Sequence, residues 1–201
     1  RYNIGYVVSD YYANGSFWCS YPNKSFKQRP GRAVKAENGK IYVSVVFSDG
    51  DNVQFDQNAL YAIWTEDTDR GAFPVGTTLC AGMQELNPFL LEWYYNHMSP
   101  NDELMAGPSG YQFIYGRDYS EEGYEKWLGL NRRWLASAGF KTACFWHTSY
   151  GTDRFYRYVE TAGLEGVFNG DDDVILDYHN GVIIMNQGDH LVAEGDLYNN
   201  L

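Results

Sequence analysis

Two carboxylates and an amide surround one glycine in the segment Ser48-Asp49-Gly50-Asp51-Asn52. The segment directly follows Ile41–Phe47, an apolar run rich in β-branched and aromatic residues that is typical of a buried strand. Asp49 and Asp51 could act as the acid and the base or nucleophile of a hydrolase. Together with Asn52 they could instead bind Ca²⁺, the one metal ion that this pattern suggests. A simple turn whose last residue caps a helix explains one of the two carboxylates but not both.

Further polar and aromatic side chains follow the other apolar segments. As candidate substrate-binding residues we select Asn52, Glu85, Ser109, Tyr111, Tyr115, Trp146 and His147, and as a third candidate catalytic residue Asp171. Because the carboxyl ends of parallel strands meet at one edge of a sheet, we expect these groups to share one rim with Asp49 and Asp51. Such a ring of acids, amides and aromatic rings is typical of a carbohydrate-binding cleft.

Each of these candidates also has a purely structural interpretation. Glu85 stands where a helix begins, and acids are common there because they oppose the helix dipole. Ser109 belongs to Gly-Pro-Ser-Gly, which is not the Gly-x-Ser-x-Gly of a nucleophile, so we interpret it as a loop-shaping residue whose hydroxyl contacts ligand. Trp146 and His147 could belong to the core, and Asp171 could lie in a solvated turn.

The elements that must position these residues alternate along the chain. Strands are predicted over Ile4–Ser9, Ile41–Phe47, Val75–Ala81, Glu103–Gly107, Lys141–His147, Leu164–Gly170 and Gly181–Asn186. Helices are predicted over Asn52–Asp67, Asn87–Met98, Ser120–Gly139 and Thr152–Gly163. Uniformly apolar strands that alternate with helices indicate a parallel sheet, either open and doubly wound or closed. We favour an α/β (β/α) TIM-barrel-like fold of about seven parallel strands, complete or incomplete, as a single domain over residues 1–201.

The amino-acid composition limits the classes of ligand and partner that we expect. The net charge of −11 argues against nucleic acid and anionic membranes, and the aromatic content of 17% favours a neutral polyhydroxylated ligand, a carbohydrate. No apolar run approaches the ~18 residues that a membrane span requires. The three cysteines and four histidines show no zinc-binding spacing, and no nucleotide-binding motif is present, so no cofactor is expected apart from the Ca²⁺ considered above.

Several motifs in a fixed order carry a resemblance to a known family. They are Phe47–Asn52 (FSDGDN), Arg70–Val75 (RGAFPV), Pro88–Tyr95 (PFLLEWYY) and Asn101–Gly110 (NDELMAGPSG), followed by SGYQFIYG at the position of the family's namesake motif. From about Lys40 to Leu201 the chain resembles the GxGYxYP family of putative glycoside hydrolases, specifically its C-terminal domain. In the namesake motif the second glycine is missing, and Gly116 replaces the proline.

The resemblance implies a glycosidase-type hydrolase domain that acts on a polysaccharide or oligosaccharide outside the cytoplasm. It also implies a separate N-terminal domain, and the abrupt start at Arg1 fits a piece of a longer protein. The alternative is a carbohydrate-binding or surface-interaction domain that kept the scaffold without catalysis.

Overall fold

A computed structural model describes residues 7–29, 35, 37–40, 42–146, 151–170 and 176–186. Its strands are β1 (Val46–Phe47), β2 (Val75–Leu79), β3 (Asp102–Ala106), β4 (Thr142–Phe145), β5 (Gly166–Asn169), β6 (Leu176–His179) and β7 (Val182–Asn186). They form one seven-stranded sheet in the order β1-β2-β3-β4-β5-β7-β6. Every neighbouring pair is parallel except β6 and β7, which are antiparallel.

The helices are α1 (Gly15–Trp18), α2 (Val53–Gln57), α3 (Ala59–Glu66), α4 (Met83–Leu86), α5 (Pro88–Asn96), α6 (Glu121–Ala138) and α7 (Asp153–Ala162), with a 3₁₀ turn at Gly116–Asp118. Because the parallel strands follow one another in space as in sequence, right-handed crossovers place the connecting helices on one face of the sheet. Burial alternates along β7 as expected if helices cover one face of the sheet, since Val182 and Ile184 are buried and Ile183 is 48% exposed.

Over the described residues the sheet is open rather than closed into a barrel. In the described part of the chain, β1 pairs only with β2 and β6 only with β7, so these two strands form the edges. The predicted α/β fold is confirmed, but the seven strands are mostly rather than entirely parallel, and closure into a TIM barrel is not confirmed.

Two strands differ from their predictions. The segment predicted as Ile41–Phe47 forms a strand only at Val46–Phe47, and Val43 is 80% exposed, because this edge segment lacks a second neighbour. Of the segment Ile4–Ser9, Val7–Ser9 is not a strand and the rest lies outside the described residues. The strand β6, which was not predicted, joins β7 through Asn180 (φ 47°) and Gly181 (φ 94°). Asn-Gly between two strands is a strong hairpin signal because both residues accept positive φ.

The long helices begin and end where their capping residues predict. The Ser120 hydroxyl accepts from the Gly123 N–H at 3.2 Å, and Gly139 ends α6 with φ 77°. The helix predicted over Asn52–Asp67 is instead two helices, α2 and α3, which meet at Asn58. The Asn58 amide donates to the Gln54 carbonyl at 2.8 Å, a local bond that competes with helical pairing.

A single side chain completes the junction between β3 and β4. These strands pair only at Ala106 and Ala143, which leaves Leu104 without a strand partner on that side. The Gln28 amide oxygen accepts from the Leu104 N–H at 2.7 Å, and its amide nitrogen donates to the Leu104 carbonyl at 2.6 Å. The same nitrogen donates to the Gly139 carbonyl at 2.9 Å, so Gln28 ties β3 to the end of α6.

Candidate functional site

The Ser-Asp-Gly-Asp-Asn turn folds across the carboxyl ends of β2 and β3. The buried Gly50 N–H donates to the Thr78 hydroxyl at 2.9 Å, and a Cβ at Gly50 would overlap the Thr78 carbonyl. A Cβ at Gly107, just beyond β3, would meet the backbone of Gly50 and Asp51. The two glycines therefore allow the turn to lie flat against the edge of the sheet.

The turn holds two carboxylates in different environments. Asp49 is exposed and has φ 76°, a left-handed conformation that aspartate tolerates better than most residues. Asp51 is partly buried, and this burial raises its pKa to about 7; a backbone N–H opposes the increase and the charge of Asp49 adds to it. A carboxyl with a pKa near 7 is partly protonated at neutral pH, as a general acid must be.

A third carboxyl, Asp56, lies beneath the turn on α2. It is fully buried; its Oδ2 accepts a long hydrogen bond of 3.4 Å from the Cys80 N–H, and its Oδ1 has no partner. Burial raises its pKa well above the ordinary value, and the charge of Asp51 adds to this effect. Asp56 was not selected from the sequence, although its spacing with the buried Val53 and Leu60 places it on the core-facing side of the helical segment.

Asn52 is the N-cap of α2. Its Oδ1 accepts from the Gln54 N–H at 3.0 Å. The capping interpretation of the end of the turn is therefore confirmed for Asn52, and the cap leaves both carboxylates unexplained.

Glu85 and Tyr111, both selected as substrate-binding residues, are in contact. The Tyr111 hydroxyl donates to Glu85 Oε2 at 2.6 Å, and Arg133 donates to Glu85 Oε1 at 3.2 Å. The Arg133 guanidinium also lies over the Trp134 ring, 4.5 Å from its centroid. Both Glu85 oxygens are thus engaged, which suits a binding or positioning role better than proton transfer.

Ser109 does not face the rim surface. Its side chain is buried, and its hydroxyl both donates to the Trp146 carbonyl and accepts from the Trp146 N–H, each at 3.1 Å. It therefore locks the loop after β3 to the end of β4, which supports the loop-shaping interpretation over contact with ligand.

The remaining selected residues are partly described. Trp146 is partly buried, and a Cβ at Gly170 would meet its ring, so the ends of β4 and β5 are in contact. Tyr115 is 36% exposed and lies beneath the Arg117 guanidinium, 5.6 Å from the ring centroid. His147 and Asp171 lie outside the described residues.

Two buried amides at the same edge were not selected. Gln84, on α4 after β2, and Asn169, at the end of β5, are both fully buried, and none of their side-chain N and O atoms has a hydrogen-bond partner among the residues that the structure describes. Unpaired buried amides are rare, because each costs about 1–3 kcal/mol. The sequence feature that could have identified both amides as candidate site residues is their position directly after an apolar strand.

Among the described residues, no three or more His, Cys, Asp or Glu side chains are grouped to hold a metal ion. Likewise, within the part of the chain that the structure describes, no helix is long and apolar enough to cross a membrane. A cavity of about 200 Å³ lies on a face of the sheet rather than at the rim, lined by Thr142, Glu165, Gly166, Val167, Phe168, Ile183 and Met185. Its lining is almost entirely apolar and includes no residue of the acidic turn.

An open, mostly parallel sheet with an acidic turn at its carboxyl edge defines an α/β protein whose candidate site lies at the strand ends. Residues 39–191 match the family described as "GxGYxYP putative glycoside hydrolase C-terminal domain". Because this segment makes up most of the chain, the chain belongs to that family, as its motifs predicted.

A solved structure, a putative hydrolase from Bacteroides thetaiotaomicron VPI-5482, superposes with a TM-score of 0.76 at 23% sequence identity. The match covers 86% of this chain but only 35% of that one, so the chain spans about a third of the solved protein. At this identity the likeness shows a shared fold. The search of curated proteins found no match.

Proposed function

We propose that the chain is a glycosidase-type hydrolase domain that cleaves a polysaccharide or oligosaccharide at the carboxyl edge of the sheet. The observation that carries the proposal is Asp51, a partly buried carboxyl whose pKa is raised to about 7, in the same turn as the exposed Asp49. Membership of a family described as putative glycoside hydrolases supports the choice of substrate.

In this proposal Asp51 donates its proton to the glycosidic oxygen as the C–O bond breaks. Asp49 either takes a proton from the attacking water or attacks the anomeric carbon itself, the two routes by which paired carboxyls hydrolyse glycosides. Glu85 and Tyr111, joined by a hydrogen bond, and the neighbouring aromatic rings would hold the sugar. Asp171 and His147 remain proposed contributors.

The test is a screen of neutral polysaccharides with release of reducing ends as the measurement. We expect wild-type protein to release product and Asp51→Asn to reduce the rate by about 10²–10⁴-fold, the usual contribution of general acid catalysis. The control is Glu66→Gln, an exposed acid on α3, which should match the wild type. Retention of the glycan without product from any variant would favour the alternative, a carbohydrate-binding domain without catalysis.

Calcium at Asp49 and Asp51 is a separate proposal with its own test. If Ca²⁺ is bound there, excess EDTA should lower the unfolding midpoint of the wild type, and added Ca²⁺ should restore it, but neither change should occur in Asp49→Asn. A midpoint that EDTA leaves unchanged in the wild type would contradict calcium binding at the turn.

The cellular location and the domain organisation are proposed from the same family membership. We infer an extracytoplasmic protein whose remaining length includes a separate N-terminal domain.

A further inference from the structure

Four aromatic side chains, Phe17, Trp18, Tyr21 and Phe89, form a cluster that we call the aromatic patch. The Trp18 ring lies nearly parallel to those of Tyr21 and Phe89, with centroids 6.5 and 6.0 Å away. Phe17 packs its edge against Trp18 and Tyr21 at 4.9 and 5.6 Å, and Tyr21 contacts Phe89 at 5.2 Å. Every ring therefore touches at least two others.

The patch is not part of the core. Phe17 is 52% exposed and Phe89 44% exposed, and Trp18 and Tyr21, which are partly buried, are not among the described residues that pack against the buried cluster that stabilises the sheet. Half-exposed rings that contact mainly one another contribute little to folding compared with buried ones. Exposed aromatic rings that form a contiguous group are typical of a ligand-binding or interaction surface.

The position of the patch relates it to the candidate site. Phe89 is in the first turn of α5, and helices that follow parallel strands begin at the carboxyl edge of the sheet, where the acidic turn also lies. The other three rings precede residue 39, where the family match begins, so the family does not account for them.

The surroundings favour a neutral ligand. Lys24 pairs with Glu92 at 2.5 Å, which balances the charges beside the patch, and the chain carries a net charge of −11. Ser20 is exposed and its hydroxyl donates to the Phe17 carbonyl at 2.6 Å, so a polar group lies within the segment that carries three of the rings. Ring faces with polar neighbours suit a sugar, whose C–H face is apolar and whose edge carries hydroxyls.

We propose that the aromatic patch is an accessory binding site for a neutral glycan, separate from the acidic turn. The choice of ligand rests on the proposed function, whereas the existence of the patch does not. A polymer held at the patch would be presented to the rim at the same end of the molecule.

The experiment measures retardation of the Asp51→Asn protein during native electrophoresis through gels containing starch, xylan, galactomannan or mixed-linkage β-glucan. Use of Asp51→Asn prevents digestion of the polysaccharide. Phe17→Ala and Phe89→Ala are added to this background singly and together, and Phe73→Ala is the matched control, since Phe73 is 56% exposed and outside the patch. Circular dichroism checks that each variant is folded.

We expect at least one polysaccharide to retard the protein, and the double variant to bind it about tenfold more weakly while Phe73→Ala binds unchanged. Equal retardation of all variants, or no retardation by any probe, would overturn the proposal. It would equally be overturned if Phe17→Ala turned a self-associating protein into a monomer without changing glycan binding.

The two proposals fail in different ways. Absence of turnover by the wild type contradicts the role of Asp51 and does not affect the electrophoretic result. Turnover that depends on Asp51, together with unchanged retardation of the patch variants, contradicts only the accessory site.

Discussion

At the scale of single residues, Asp51 links the stability of the protein to its proposed chemistry. Its pKa is about 7 in the folded chain and close to the ordinary 3.8 when unfolded. The folded state therefore binds the proton more tightly, so stability is greatest below the unfolded pKa and declines as pH rises towards 7. The upper limit of this loss is roughly 4 kcal/mol for a shift of roughly three pKa units.

We predict that Asp51→Asn makes the decline of stability with pH shallower, because asparagine carries no proton to lose, while the buried Asp56 still contributes a decline of the same sign. Urea unfolding at a series of pH values between 4 and 8 measures it. The free energy of unfolding should fall with pH in the wild type and in Glu66→Gln, and remain flatter in Asp51→Asn. Parallel pH profiles for all three proteins would show that Asp51 titrates normally.

Loss of the hydroxyl should affect the stability of the protein differently at two buried tyrosines. The Tyr158 hydroxyl is buried without a partner, while its ring stacks on Phe145 at 3.9 Å. The Tyr94 hydroxyl donates to the Asp56 carbonyl at 2.6 Å. We expect Tyr158→Phe to be neutral or stabilising, and Tyr94→Phe to cost about 1 kcal/mol. Thermal unfolding compares the two variants, and a large loss of stability in Tyr158→Phe would contradict the prediction.

At the scale of elements, the acidic turn depends on close contact with the ends of two strands. We predict that Gly50→Ala destabilises the protein by more than about 2 kcal/mol, because the added methyl group would overlap the Thr78 carbonyl. Gly129→Ala, on α6, is the matched control, since nothing lies within 4 Å of its added Cβ. This change should stabilise the helix by about 0.5–1 kcal/mol. If chemical denaturation showed the same change in the free energy of unfolding for Gly50→Ala and Gly129→Ala, the backbone of the turn would be able to move away from Thr78.

The sequence predicted elements where local signals agree with the final packing. The caps Ser120 and Thr152 and the terminal glycines Gly139 and Gly163 mark helix ends that depend only on neighbouring residues. The extent of β1 depends instead on which strands are available to pair with it, and this is not encoded locally. The β6–β7 hairpin did carry a local signal, the Asn-Gly pair.

The position of the candidate site in the fold could be predicted from the sequence, but the environment of its residues could not. A polar rim at strand ends follows from topology, so Asp49, Asp51, Glu85 and Tyr111 could be selected. Burial separates the roles of such residues, and burial is a tertiary property. Sequence alone could not show that Ser109 is enclosed or that Asp56 lies beneath the turn.

At the scale of the whole molecule, the segment before the family match is integral to the fold. Gln28 completes the hydrogen bonding of Leu104, and Phe26 stacks on Tyr95 with centroids 4.4 Å apart. The Val8 N–H donates to Gln112 at 3.2 Å. These contacts reach β3, α5 and the loop after β3.

We predict that the chain shortened to residues 39–201 unfolds at a clearly lower temperature than the full chain. Gln28→Ala in the full chain should by itself cost about 1–3 kcal/mol, because the buried Leu104 N–H and carbonyl lose their partner. Lys27→Ala, at the exposed neighbouring position, should have little effect. Calorimetry compares the shortened chain, Gln28→Ala and Lys27→Ala with the full chain. Equal unfolding temperatures would show that the segment before residue 39 does not stabilise the fold.

The order of the strands also bears on how the molecule assembles. From β1 to β5, each new strand pairs with the one synthesised just before it, so the sheet can grow unit by unit during synthesis. The hairpin of β6 and β7 can then dock as a preformed pair against β5. Loop closures stay short on such a route, which lowers the entropic barrier and limits the time that unpaired edges are exposed to aggregation.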